Sequence, residues 1–374
     1  MIRRIAARLR WKLLARAALL FLAALVIGGF LFAWSGLYSV AASRGHWTIF
    51  EYFLAFVMRN SVERRAALID APPLDDEALI ALGAGAYHSG CAWCHGAPGI
   101  PTNPITRAML PAPPDLASKM LTWEDEELFW IVLHGIKYTG MPAWSSQRRQ
   151  DEVWAVVAFL RTLKDLDTPS YRELALGPAD RQDTGREIVT EEGAIEAAVA
   201  CGRCHGTEGT GPRSALVPRL HGQPAEFLIN ALKAYQQGAR ESGIMQPLAN
   251  DLTPEEVERA ALYYSRLPPP APPLSEAGRV DLSHGRTIAE AGIPPSGVPA
   301  CLSCHRDGAL KTYPRLAGQS ARYIANQLYL WKQKDTRHTE LAEIMTPIAR
   351  RLTDAQIADV AAYLASLPPS GPTP

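Results

Sequence analysis

The cysteines constrain the fold of this chain more than any other feature of its sequence. All six occur in C-x-x-C pairs, and a histidine follows each pair directly, at His95, His205 and His305. No cysteine is left over for a disulfide bond. Whatever the chain folds into must therefore provide the same chemical site three times. The paired residues are Cys91 and Cys94, Cys201 and Cys204, and Cys301 and Cys304.

Three kinds of site use paired cysteines. A zinc site needs four ligands, commonly two pairs within one domain, and a redox dithiol belongs to a thioredoxin-like fold. The third kind is covalent attachment of haem, whose signature is C-x-x-C-H. Histidine occupies only 9 of 374 positions, so a histidine after every pair is not expected by chance, and the pairs lie too far apart for a zinc finger. The sequence thus predicts three covalently bound haem c groups, with His95, His205 and His305 as the proximal iron ligands.

The sixth position of each iron needs a distal ligand, and methionine there raises the reduction potential. Met141, Met245 and Met345 follow the three motif histidines at similar distances, and each has a proline one or two residues later. Such a proline stiffens a loop that must hold a weak sulfur ligand. Met109 and Met120 compete with Met141 for this position. Any remaining histidine could replace a methionine: His46, His88, His134, His221, His284 and His338.

The second and third motifs belong to an internal repeat. Cys201 and Met245 each have an identical residue one hundred positions later, and the sequence P-R-L-x-G-Q occurs once in each copy. Repetition at a fixed period indicates that one structural unit recurs. Residues 177–268 and 277–369 are therefore predicted to be two copies of one fold.

Helical patterns predominate in all three regions. Apolar residues recur at helical spacing over 75–87 and 151–163, and the last helices of the two copies are expected to begin with capping boxes at Thr253 and Thr353. No strand-like alternation competes with these patterns, so the predicted fold class is all-α. Four aromatic residues are predicted to pack beside the haem groups: Tyr87, Trp154, Tyr263 and Tyr363.

With these motifs the chain resembles the class I cytochromes c, small helical domains with C-x-x-C-H near the start and a distal methionine before the last helix. Residues 177–369 are similar to the periplasmic two-domain di-haem cytochromes c. The first motif region, with C-A-W-C-H-G and G-M-P-A-W, resembles the single-haem domains of membrane-anchored electron-transfer proteins. The resemblance implies three tandem class I cytochrome c domains, at 73–165, 177–268 and 277–369.

The resemblance also implies that a proline carbonyl holds the ring of each proximal histidine. Pro218 and Pro314 match that position in the second and third domains. In the first domain Pro111, Pro113 and Pro114 are all candidates, so the sequence does not identify the proline there.

The N-terminal region differs from the rest in charge and hydropathy. The chain is neutral overall, which argues against nucleic-acid binding. Six basic residues nevertheless precede an uncharged apolar stretch over 17–34 that is long enough to span a bilayer. The positive-inside rule then makes 1–43 a cytoplasmic tip and single-pass anchor in the inner membrane, with the haem domains in the periplasm. The alternative is a signal peptide cleaved near Ala41 and Ala42, which would leave a soluble periplasmic protein.

Two kinds of connecting segment are expected. Residues 44–72 are predicted to form an amphipathic juxtamembrane helix, which starts at a capping box of Thr48 and Glu51 and lies on the membrane or on the first domain. Linkers are expected at 165–184 and 268–282, where they would let the haem domains swing or stack in a row.

Three functions are compatible with this organisation. The first is an electron carrier, without catalytic residues, that passes single electrons between a quinol-oxidising complex, a dehydrogenase or a terminal oxidase. The second is a cytochrome subunit of a membrane dehydrogenase or terminal oxidase complex. The third is a haem enzyme such as a peroxidase or reductase, which needs an open iron position. A candidate methionine for every haem argues against the third function.

Overall fold

The computed structural model describes residues 2–118, 122–177, 196–270, 281–333, 336–369 and residue 371. Within these ranges the regular structure is helical, and the only strand-like pairings are isolated bridges of one residue on each side. The predicted all-α fold class is therefore confirmed. We call 73–177, 196–270 and 281–369 the first, second and third motif segments, because each contains one C-x-x-C-H motif.

Two helices precede the motif segments, α1 (Ile2–Ser35) and α2 (Thr48–Ala66). The first segment contains α3 (Glu77–Gly90), α4 (Ala92–His95), α5 (Pro104–Arg107), α6 (Asp125–His134), α7 (Gln150–Leu163) and α8 (Thr168–Leu176). The second contains α9 (Glu196–His205), α10 (Ala225–Gln236), α11 (Met245–Asn250) and α12 (Pro254–Arg266). The third contains α13 (Ser283–Ala291), α14 (Leu302–His305), α15 (Ala321–Gln333), α16 (Glu340–Arg351) and α17 (Asp354–Ser366).

Local capping signals explain where several helices begin. Thr253 and Thr353 form the predicted reciprocal capping boxes at the starts of α12 and α17. Asp76 accepts a hydrogen bond from the amide of Ala78 and so caps α3. The capping box predicted at Thr48 is wrong, because the helix already includes Thr48 and Trp47 occupies the N-cap position without a side-chain bond.

Glycine allows two pairs of helices to cross at close range. A Cβ on Gly83 of α3 would lie 1.9 Å from the carbonyl oxygen of Ala155 in α7. A Cβ on Gly285 of α13 would lie 2.1 Å from the carbonyl oxygen of Asp359 in α17. The first and third segments therefore share one mode of helix packing, in which the backbones of the two crossing helices are in direct contact at the glycine. The counterpart predicted by the repeat, Gly185, lies outside the described residues.

The second and third segments meet through their repeated P-R-L-x-G-Q sequences. The side-chain Nε2 of Gln223 donates to the backbone carbonyl of Arg315 at 2.8 Å. The side-chain Oε1 of Gln223 accepts from the backbone amide of Arg315 at 2.9 Å. Gln319 makes the same two contacts with the backbone of Arg219, at 3.0 and 2.9 Å. The interface is thus reciprocal, as expected where two copies of one fold meet face to face.

The first segment contacts both of the others. Ser214 donates to the carbonyl of Ala78 at 2.6 Å, and Arg322 forms an ion pair with Asp76. The first and third segments touch directly, which domains placed one after another in a row would not do. Part of the first predicted linker is helix α8, which packs on α3. The remainder of both linkers, at 178–195 and 271–280, lies outside the described residues.

Helix α1 stands apart from the motif segments. Its stretch Trp11–Ser35 is long and apolar enough to cross a membrane, and none of it is buried. Helix α2 follows and packs against α6, with Val62 and Ala66 buried. A cluster of aromatic rings joins the end of α1 to the start of α2: Phe32, Tyr38, Trp47 and Phe50.

Candidate functional site

Each C-x-x-C-H motif lies on a helical turn that ends at its histidine. The amide of His95 donates to the carbonyl of Cys91 at 2.9 Å, and His305 repeats this bond to Cys301 at 3.0 Å. The second motif occupies the end of α9, which finishes at His205. Residues three apart on a helix share a face, so each turn presents its two sulfur atoms together. This is the arrangement that two thioether bonds to one haem require.

A proline carbonyl orients each motif histidine. The Nδ1 atoms of His205 and His305 lie 2.9 and 2.8 Å from the carbonyl oxygens of Pro218 and Pro314, as the resemblance implied. In the first segment the partner is Pro114, at 2.9 Å from His95 Nδ1. A ring that donates from Nδ1 presents an unprotonated Nε2, which is the form that binds a metal.

Electrostatics favour the same form of these histidines. Burial lowers the pKa of His205 to about 4 and also lowers the pKa values of His95 and His305. The hydrogen bonds to the proline carbonyls oppose this effect without reversing it. The imidazoles are consequently neutral at physiological pH, as iron ligation requires.

The first cysteine of each motif has the opposite character to a reactive thiol. Burial raises the pKa of Cys91 to about 12 and the pKa values of Cys201 and Cys301 to about 11. A redox dithiol or a zinc ligand needs a lowered thiol pKa. In the described part of the chain, no three Cys, His, Asp or Glu side chains are grouped so as to hold a metal ion. The dithiol interpretation of the motifs therefore lacks support.

A buried tyrosine braces the turn after two of the histidines. The hydroxyl of Tyr87 donates to the carbonyl of Gly96 at 2.6 Å, and Tyr264 donates to Gly206 at 2.9 Å. Both glycines follow the motif histidine directly and have positive φ, a conformation that favours glycine. In the third segment Arg306 stands at the glycine position.

The aromatic residue predicted beside the second haem was Tyr263 and not Tyr264. Tyr263 and Tyr363 are the pair that matches by position, but Tyr264 lies on the buried face of α12 and Leu364 occupies that face in α17. Helical spacing is the signal that identifies Tyr264 as buried, because it continues the apolar series Val257, Ala260 and Ala261. The third segment thus lacks both partners of the brace, the tyrosine and the glycine.

The three candidate distal methionines lie in different local structures. Met141 lies in the loop between α6 and α7, where its amide donates to Thr139 and its carbonyl accepts from Ile136. Met245 is the first residue of α11, and its amide donates to the hydroxyl of Ser242 at 2.9 Å. Met345 lies within α16 and packs against the core of the third segment. All three are partly buried.

The competing ligands have different positions. Met109 lies beside the Met141 loop, since a Cβ on Gly140 would be 2.7 Å from its sulfur. Met120 lies outside the described residues. Five of the alternative histidines contact other groups through a ring nitrogen: His46 with Tyr38, His88 with Tyr171, His221 with Thr207, His284 with Asp359 and His338 with Arg148. The ring of His134 packs against Trp130.

Two buried polar groups fit a bound haem. The Nε and Nη1 atoms of Arg219 are buried, and neither has a hydrogen-bond partner among the described residues; the same holds for the indole nitrogen of Trp331. Buried guanidinium nitrogens without a partner are costly, and burial accordingly lowers the pKa of Arg219. Haem carries two propionate carboxylates, which are suitable partners for a guanidinium. The residues present therefore fit the cofactor that the motifs indicate.

Helical turns that end in a carbonyl-tethered histidine, with two cysteines on one face, define the cytochromes c. The chain belongs to the multihaem class I cytochromes c. The family profile described as "Cytochrome c" matches residues 283–368. The profile described as "Cytochrome C oxidase, cbb3-type, subunit III" matches residues 78–160.

Among curated proteins, a "Thiosulfate dehydrogenase electron acceptor" of Thiomonas intermedia is 37% identical over 174 residues, which cover 46% of this chain and 80% of that protein. "Cytochrome c4" of Pseudomonas aeruginosa is 29% identical over 182 residues, covering 47% and 87%. These relatives are electron carriers, and the present protein is likewise an electron-transfer protein.

Two solved structures are also similar. A thiosulfate dehydrogenase from Marichromatium purpuratum matches at 34% identity with a TM-score of 0.43, covering 50% of this chain and 40% of that chain. A cytochrome c4 from Acidithiobacillus ferrooxidans matches at 34% identity with a TM-score of 0.40, covering 46% of this chain and all of that one.

Proposed function

We propose that this protein is a membrane-anchored tri-haem cytochrome that transfers single electrons between respiratory partners on the periplasmic side of the inner membrane. The observation that carries the proposal is the threefold occurrence of one arrangement, a C-x-x-C-H turn whose histidine is held by a proline carbonyl. Bound haem supplies reversible one-electron oxidation and reduction of its iron. The chain's own residues attach the group, orient its proximal ligand and bury it.

The proposed ligand pairs follow the chain order. His95 pairs with Met141, His205 with Met245 and His305 with Met345, while the six cysteines form the thioether bonds. Supporting this assignment, each methionine is partly buried within the same motif segment as its histidine. The proposed domains are 73–165, 177–268 and 277–369. Gly83 packs against Ala155 and Gly285 packs against Asp359. Each of these helix crossings lies within one proposed domain, which supports the first and third domains as separately packed units.

The proposed anchor is residues 1–43, followed by a juxtamembrane segment at 44–72. Helix α1 offers the protein no buried contact over Trp11–Ser35, which is the exposure expected of a lipid-facing helix. The first half of α2 also exposes large apolar side chains, among them Ile49, Phe53 and Phe56. Aromatic rings collect where the two helices meet, as they do at membrane interfaces. These features favour an uncleaved anchor over a cleaved signal peptide.

The proposed partners are redox proteins on both sides of the electron path. Relatives named as electron acceptors of thiosulfate dehydrogenase favour an enzyme that oxidises a reduced sulfur compound as the donor. A second candidate function is a subunit of a terminal oxidase complex. It is favoured by the match of residues 78–160 to the profile of a cbb3-type oxidase subunit.

Haem stoichiometry tests the central claim. The mass of the intact, membrane-extracted protein should exceed that of the polypeptide by three haem groups, and substitution of both cysteines of one motif by serine should remove one. Cys91 and Cys94 are a suitable first pair, with Ser39, which lies outside the three motifs, changed to alanine as a control. Two haem groups or fewer in fully matured protein would refute the tri-haem proposal.

Membrane attachment and donor identity need separate tests. The full chain should stay in the membrane fraction after a high-salt wash, because apolar burial, unlike ionic contact, is not screened by salt. A protein that lacks 1–43 and carries a cleavable signal should be soluble. Thiosulfate with a thiosulfate dehydrogenase should reduce the haem iron of this soluble form, which a change in the haem absorbance spectrum would show. Release of the full chain by salt, or no reduction by the dehydrogenase, would contradict the corresponding part of the proposal.

A further inference from the structure

A carboxylate of the first segment lies between two methionine loops. We define the first methionine loop as residues 139–144 and the second as residues 242–245. Glu152 belongs to α7 and is only 3% exposed. Its carboxylate accepts from the amide of Gly243 at 2.6 Å in the second loop and from the indole of Trp144 at 3.3 Å in the first. One buried group therefore joins the two methionine loops, although Gly243 lies 91 residues from Glu152 in sequence.

A two-bond connection runs from Glu152 to the backbone of Met245. The hydroxyl of Ser242 donates to Glu152 Oε1 at 2.5 Å. Because the hydroxyl proton points at the carboxylate, the oxygen lone pairs are free to accept the amide of Met245, at 2.9 Å. The carboxylate thereby fixes the orientation of the hydroxyl that holds the methionine backbone.

Every hydrogen-bond and ion-pair partner of this carboxylate is a donor. Arg149 forms an ion pair with it at 2.8 Å, in addition to the donors of Ser242, Gly243 and Trp144. An ionised carboxylate accepts from all of them, whereas a glutamine would turn an N–H group towards at least one donor. A buried donor left without an acceptor is destabilising, so the arrangement depends on the carboxylate itself.

We infer that Glu152 of the first segment is a positioning residue for Met245 of the second, so that one haem unit controls the axial ligation of its neighbour. The inference rests on the proposed pairing of His205 with Met245. Methionine is a weak ligand to haem iron, and small displacements of its backbone weaken the bond to iron. Loss of that bond lowers the reduction potential of the haem concerned.

The test compares variants of the full-length, haem-loaded protein. Met245→Ala first identifies which haem loses its methionine-to-iron charge-transfer signal in near-infrared magnetic circular dichroism. Glu152→Gln should then weaken the signal of that same haem and lower its potential in a redox titration, while the other haem signals persist. Ser242→Ala removes one hydroxyl only and should act in the same direction.

Asp151→Asn is the matched control. Asp151 is the neighbour of Glu152 on α7 and also pairs with Arg149, but its carboxylate faces Asn326 of the third segment. The control should leave all ligation signals unchanged. If Glu152→Gln and Ser242→Ala both leave every signal and potential unchanged, the positioning role is refuted although the ligand assignment stands.

Two further outcomes are informative. If Met245→Ala itself removes no signal, the proposed ligand pair fails and the positioning role fails with it. If Glu152→Gln does not yield folded protein, Ser242→Ala decides, because it deletes a single oxygen from the same connection. An unchanged signal in that variant overturns the inference.

Discussion

The indole ring of Trp144 fills the space beside Gly243 where a side chain would otherwise lie. A Cβ on Gly243 would be 1.9 Å from the indole nitrogen, which is far inside van der Waals contact. The first and second motif segments therefore meet at a point where only glycine fits. Both residues of this contact also donate a hydrogen bond to the carboxylate of Glu152.

Gly243→Ala should consequently destabilise the contact between these segments. The added methyl group must displace Trp144 and with it the hydrogen bond to Glu152, and overpacking of this kind costs about 1–3 kcal/mol. Denaturant unfolding followed by far-UV circular dichroism would measure the loss. Gly211→Ala is the control, since its Cβ would make an ordinary 3.4 Å contact with Pro270. Equal stability of the two variants would contradict the prediction.

The crossing glycines should be similarly intolerant of substitution. Gly83→Ala and Gly285→Ala place a methyl group against the carbonyls of Ala155 and Asp359, so helices must separate. We expect each to lower the free energy of unfolding by about 1–3 kcal/mol. Gly90→Ala on the same helix as Gly83 has open space and should not be destabilising. A loss in Gly90→Ala as large as in Gly83→Ala would argue against a steric cause.

The two candidate methionines of the first segment can be separated by substitution. Met141→Ala should abolish the methionine signal of one haem and lower its potential, because Met141 is the proposed ligand. Met109→Ala should retain that signal. The comparison is well matched, since the sulfur of Met109 lies beside Gly140, the residue before Met141. The reverse result would make Met109 the ligand.

The ion pair between Asp76 and Arg322 should contribute to stability in a pH-dependent way. Arg322 lowers the pKa of Asp76 from 3.8 to about 2. A lowered pKa in the folded state means that the contribution is complete above pH 3.8 and is lost as the pH falls through about 2. The pair is partly exposed, so its value is about 1 kcal/mol at most.

Asp76→Asn should therefore lower the free energy of unfolding near neutral pH, and this difference should shrink as the pH falls towards 2 and vanish below it. Asparagine still caps α3, so the variant isolates the ion pair from the capping bond. Arg322→Gln should reproduce the same pH dependence. A difference from wild type that stays constant between pH 5 and pH 2 would show that another interaction is responsible.

Local sequence patterns predicted those parts of the site whose structure depends on residues close together in the sequence. The three motif turns and the capping boxes of Thr253 and Thr353 were expected from short patterns. The carbonyls of Pro218 and Pro314 were expected from the resemblance to the class I cytochromes c. Pro114 was not, because three prolines lie within four residues and only the fold determines which carbonyl faces His95.

Glu152 shows what such signals cannot provide. In the sequence it is an acidic residue in the first turn of a helix, a position that the helix dipole alone accounts for. Nothing nearby indicates that it is buried or that its partners are Ser242 and Gly243 of another segment. Contacts of this kind depend on how complete units pack, and no local periodicity encodes that packing.

The three motif segments also form a closed arrangement. Ser214 of the second touches Ala78 of the first, Gln223 of the second pairs with Arg315 of the third, and Arg322 of the third pairs with Asp76 of the first. In a linear row of three segments, loss of the middle one separates the other two. A triangular arrangement has no such middle segment. Each corner borders both others, so the loss of any one still leaves two neighbours in contact.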